Sequence, residues 1–143
     1  MDLNNKEKAV RKLERKIGVS ENLFTAIFLT GNDWSFIVKL HSFLEAACTE
    51  LITSALGKSE TRNFIGKLGM SNKIAFIKNL SLLERNTRSN LKKLSQIRNF
   101  YVHDIKNISL SLEQYVESLN TKDTKDFIKQ IGYGIKFKKG KIT

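Results

Sequence analysis

Residues 34–56 read WSFIVKLHSFLEAACTELITSAL, and this stretch decides the fold. Leu40, Phe43, Leu44, Ala47, Cys48, Leu51, Ile52 and Ala55 recur at steps of three and four over about six turns, the signature of a long helix with one apolar face. Gly57 supplies the stop, and Asp33 in Gly31-Asn32-Asp33 offers an N-cap. Working outward, the same periodicity predicts a charged amphipathic helix over residues 4–17, with Val10, Leu13 and Ile17 inward and Gly18 ending it. A short segment over 22–30 leads to the central helix. A short helical piece over 61–68 follows it, then Gly69-Met70 and an N-cap at Ser71. Residues 73–83 repeat the pattern through Ile74, Ile77, Leu80 and Leu83. Residues 86–104 form a second long helix, with Leu91, Leu94, Ile97 and Tyr101 along one side. Two closing helices are expected over 110–119 and 121–131, with Leu112, Tyr115, Val116, Leu119 and Phe127 inward.

The 143 residues contain no proline, so the strongest helix breaker is missing, and the periodicity is helical throughout. The expected fold is an all-α, single-domain helical bundle over residues 1–131, followed by a basic arm over 132–143. That arm, GYGIKFKKGKIT, has four lysines and no acid, and Ile135 and Phe137 alternate with its lysines. The single cysteine excludes a disulfide framework within the chain and a multi-thiolate zinc site. No apolar run approaches the ~20 residues of a membrane span, and no signal-peptide core opens the sequence. A cytoplasmic protein without a membrane partner is the expectation.

The formal net charge is +11, unevenly spread. Residues 34–56 are slightly acidic. Residues 57–79 carry Lys58, Arg62, Lys67, Lys73 and Lys78 against Glu60 alone, and 85–106 carry Arg85, Arg88, Lys92, Lys93, Arg98 and Lys106 against Asp104 alone. Each lysine taken singly fits a solvated helix face. Their clustering, with Lys136, Lys138, Lys139 and Lys141 in the arm, points to a phosphate-binding surface and to RNA as partner. Tyr133 and Phe137 are a candidate stacking pair for single-stranded RNA.

The stretch that carries chemistry is LSQIRNFYVHD, residues 94–104. At about 100° per residue, Asn99 and His103 share a face one turn apart, and Arg98 lies about 140° from His103, at the edge of that face. Ile97 and Tyr101 turn to the core. Cleavage of RNA through its own 2′-OH needs a group titrating near neutrality and a cation beside the phosphate; histidine and arginine supply them, without any cofactor or metal. The structural alternative makes His103 a C-terminal helix residue favoured by the dipole and Arg98 a surface ion-pair partner, and spacing alone favours it. His41, Glu45 and Cys48 lie along one stripe of the central helix. A polar edge beside a packed core explains that stripe more simply than a metal trio does, and Cys48 reads as a small buried hydrophobe. Trp34, Phe36 and Phe43 read as core.

Arginine, four residues and histidine, late in a long helix of a small basic all-helical chain, resembles the HEPN superfamily signature. Asp33-Trp34, Phe43-Leu44-Glu45, residues 68–76 (LGMSNKIAF) and residues 94–99 (LSQIRN) look like the mannitol-operon regulator branch of that superfamily, so the resemblance covers residues 33–106. It implies a homodimer whose two arginine–histidine motifs face each other and, in active members, a metal-independent endoribonuclease serving as a toxin or antiphage component, with an antitoxin as possible partner. Carried over, Arg98 would hold the scissile phosphate, His103 would transfer protons, Asn99 would support them, and Glu45 would be a further polar residue on the facing helix. Asp104 and Ile105 follow His103 where one variant of the family keeps a nucleotidylated tyrosine. The regulator branch implies a non-catalytic binding module as the alternative. A helix-turn-helix reading of 65–82 fits poorly, because 73–83 is too apolar to read a groove.

Overall fold

The computed structural model describes residues 2–29, 31–119 and Lys122, and among these every regular element is helical. They are α1 (Leu3–Ile17), α2 (Leu23–Ile27), α3 (Asp33–Leu56), α4 (Arg62–Gly66), α5 (Met70–Asn79), α6 (Arg85–His103) and α7 (Leu112–Ser118), with 3₁₀ turns at Ser59–Thr61 and Ile105–Asn107. The expected all-α bundle is therefore the observed one. No described helix is long and apolar enough to cross a membrane. The closing helix expected over 121–131, Phe127 and the basic arm fall outside the described residues.

The helix ends follow from local chemistry. Gly18 and Gly57 close α1 and α3 at φ 76° and 70°, a left-handed conformation open to residues without a Cβ. The N-cap of α3 is Asn32 and not the expected Asp33: the Asn32 Oδ1 accepts the Ser35 N–H at 2.8 Å. Asp33 instead opens the helix, and its Oδ2 accepts the Leu112 N–H at 2.8 Å, tying α7 to the start of α3. A capping box between Ser111 and Gln114 starts α7. Helix α5 begins at Met70 with Gly69 as its cap, so Ser71 lies inside the helix rather than before it.

Helix α3 is the spine. One apolar cluster joins Ile37 to Ile97, Tyr101, Tyr115 and Val116; the other joins Cys48 and Ile52 to Ile65, Met70, Ile77 and Leu91. Ala55 and Leu80, expected inward, are exposed, while Ile37 takes an inward place that the pattern did not assign. Phe43 is buried and packs on Phe24 of α2, with centroids 5.2 Å apart. On α1 the buried residue is Glu14; Val10, Leu13 and Ile17 are half-buried. Arg11 pairs with the Glu14 carboxylate, and the Phe24 N–H donates to it at 3.1 Å, so α1 docks on α2 through a charge. Burial works to raise the Glu14 carboxyl, but the Arg11 and Phe24 hydrogen bonds and the Arg11 charge outweigh it, and the net direction is down.

Candidate functional site

The two apolar clusters leave a polar seam between them where α3 crosses α6. His41, one turn beyond Ile37, is only 4% exposed. Its Nε2 lies 3.1 Å from the Ser95 Oγ on α6, and its Nδ1 lies 4.0 Å from the Glu45 Oε2 one turn along α3. Burial pushes the His41 imidazole below its usual range; Glu45 opposes that shift, and Arg98 and Lys73 reinforce it. The neutral ring is the form that can share one proton with the Ser95 hydroxyl in either direction. The sequence placed His41 on a polar edge; the structure makes it the buried link between the two long helices. Among the described residues, no three His, Cys, Asp or Glu side chains are grouped as metal ligands. Burial pushes the Cys48 thiol up to about 11, the property of a core residue.

Three residues beyond Ser95, the Arg98 side chain is half-buried at the edge of the same helix, and its Nη1 donates to the Asn99 Oδ1 at 3.2 Å. Asn99 and His103 are both exposed, and His103 is the last residue of the helix. The chain turns immediately beyond it. Asp104 is extended, its Oδ1 accepts the Lys106 N–H at 3.0 Å, and the Asn107 Nδ2 donates to the Phe100 carbonyl at 2.8 Å. These bonds satisfy groups that a helix terminus leaves open and fix where α6 ends. Tyr101 anchors the inner side, fully buried and donating to the Leu110 carbonyl at 2.9 Å; burial and the Asp33 charge push its phenol up to about 12.

The structure thus brings Arg98 and Asn99 into direct contact and sets His103 on the Asn99 face. Glu45 reaches the motif only through His41, which feels both Glu45 and Arg98. Lys92 is exposed, and at i and i+7 it falls on the Asn99 face of α6; Lys93, half-buried, is turned about 100° away. Lys136, Lys138, Lys139 and Lys141 lie outside the described residues. Lys73, counted in the sequence as part of a basic surface, is corrected: it is 3% exposed and packs inward between Met70 and Ile77. The signal for this was present, since 70, 73 and 77 share one helix face, but a lysine on that face reads first as solvated. No signal in the sequence paired His41 with Ser95, 54 positions away.

Three exposed apolar side chains lie close to the histidine along the chain. Val102, Ile105 and Ile108 are 37%, 81% and 42% exposed, all within five residues of His103. No protein-family model matches the chain, and no curated protein or solved structure matches it either.

Proposed function

We propose that this chain is one protomer of a metal-independent endoribonuclease of the HEPN type, acting as a homodimer on single-stranded RNA in a toxin or antiphage role. The observation that carries the reading is the Arg98–Asn99 hydrogen bond beside an exposed His103 at the end of a basic helix. In this mechanism Arg98 forks onto the oxygens of the scissile phosphate, and Asn99 holds the guanidinium in place. Across the dimer, one His103 withdraws the proton of the RNA 2′-OH as its oxygen attacks phosphorus. The partner subunit's His103 returns a proton to the departing 5′-oxygen. The products are a 2′,3′-cyclic phosphate and a 5′-hydroxyl. The exposed apolar side chains of Val102, Ile105 and Ile108 support pairing at this end of the molecule. Lys92 lies on the same face of α6 for neighbouring phosphates.

The test is the chemistry of the ends. Purified protein incubated with single-stranded RNA in EDTA is expected to leave 2′,3′-cyclic phosphates; intact RNA, or cleavage that EDTA abolishes, contradicts the proposal. A second reading has its own observation: among the described residues no hydrogen bond orients the His103 ring, whereas a catalytic base is commonly held by a third group. In that reading the chain is a non-catalytic regulatory module of the same fold. It then binds a nucleic-acid or protein partner equally well after His103→Ala and loses affinity when residues 132–143 are deleted.

A further inference from the structure

A cleft of about 630 Å³ opens on the other side of the polar seam, walled by α1, α3 and the segment from α4 to the start of α5. It is within the ordinary size range of small-molecule sites. Lys73 stands on its wall. Among the described residues this ammonium has no hydrogen bond and no carboxylate within ion-pair distance, although the residue is 3% exposed. A lysine side chain so covered is ordinarily paired; here the stem is packed while the ammonium reaches the cleft, open to a ligand anion. The neighbouring cation is already satisfied: the Arg62 Nε and Nη2 donate to the two Glu50 carboxylate oxygens at 3.1 and 3.3 Å. That leaves Lys16, Lys67 and Lys73 against Glu45 along the lining, an excess of two positive charges. A phosphomonoester carries about −1.5 to −2 at neutral pH.

The cleft adjoins a second, apolar pocket of about 310 Å³. Ile17, Ser42 and Ala46 line both, and Val19, Leu23 and Phe43 extend the apolar one. We propose that the two together bind a small organic phosphate of about nucleotide size, its phosphate on the Lys73 ammonium with Lys16 and Lys67 at the rim and its apolar part over α2 and α3. Cleavage of RNA plays no part in this inference, which stands or falls on binding alone. Helix α3 lies between the cleft and the Arg98 motif, and the charges of Lys73 and Arg98 both help to hold His41 neutral.

Titration calorimetry of the full chain at low salt tests the proposal with three probes: adenosine 5′-monophosphate, inorganic phosphate and adenosine. The nucleotide is expected to bind, phosphate to bind more weakly, and adenosine to give no heat. Lys73→Met is expected to weaken the nucleotide by tenfold or more, the loss of a charge-assisted hydrogen bond, and without ligand it is expected to unfold no earlier than wild type, since methionine keeps the packed aliphatic stem and no protein group loses a bond. Gly66→Met provides a variant that leaves every charge in place. A Cβ at Gly66 meets only the Thr49 Cγ2, at 3.9 Å, so the added side chain fills the cleft and is expected to block binding. The proposal is overturned if adenosine binds as tightly as its phosphate, if neither phosphate probe binds at millimolar concentration, or if Lys73→Met binds unchanged.

Discussion

His41 shows how one side chain couples stability to pH. Its neighbours from every packed element are Glu45 on its own helix, Arg98 on α6 and Lys73 on α5, and burial with the two cations holds its folded pKa below the ordinary 6.5. The unfolded chain therefore binds a proton that the folded chain refuses. The sign follows: the contribution of His41 is full above about pH 6.5 and is lost as pH falls through the lowered folded value. Denaturant titrations from pH 8 to 5 are expected to show stability declining below 6.5 in wild type, with this component missing in His41→Gln. An identical pH profile in the variant would show that the ring is not held neutral. This behaviour was not legible in the sequence, because it depends on partners brought from other helices, whereas the burial of Lys73 was hinted at by the shared face of 70, 73 and 77.

At the scale of elements, much was legible. The span of α3 follows from an unbroken apolar period and a glycine free to adopt positive φ, and that of α6 from the same periodicity. What failed were helix ends: α5, expected over 73–83, runs Met70–Asn79, and the cap of α3 was displaced by one residue. Asn32 and Asp33 are both competent caps, and the choice between them was made by the Leu112 N–H, which recruited Asp33 to a contact 79 residues away. The end of α5 carries a local conflict. Ser81 sits at φ 54°, while the Leu82 N–H donates to the Ile77 carbonyl at 3.0 Å, the pattern of a helix end that glycine favours. Relieving the left-handed strain by Ser81→Gly is expected to stabilise the protein by about 0.5–1 kcal/mol, measured as a higher denaturation midpoint at unchanged slope. A lower midpoint would show that the serine side chain is needed there.

On the scale of the whole molecule, two apolar clusters with a polar seam between them put the Arg98–His103 end of α6 on one side and a basic cleft on the flank. The arginine–histidine spacing was readable from sequence; the Arg98–Asn99 bond and the apolar rim at Val102, Ile105 and Ile108 needed three dimensions. If that rim is where two copies meet, Ile105→Asp places a charge in the contact and is expected to shift the protein from dimer to monomer in sedimentation velocity, and to weaken RNA cleavage in parallel. The cost to folding is small, since Ile105 is 81% exposed. A wild-type protein that sediments as a monomer, or a variant that stays dimeric, would remove the rim from the interface.

The role proposed for His103, moving protons at the scissile phosphate, is tested by the rate of RNA cleavage by wild type against His103→Ala. Both are measured in EDTA, with helical content and thermal midpoint matched between them. Position 103 is exposed at the end of α6, so the fold is expected to be retained while the rate falls by about 10²-fold or more, the usual contribution of a positioned acid or base. Equal rates for the two proteins would contradict the account.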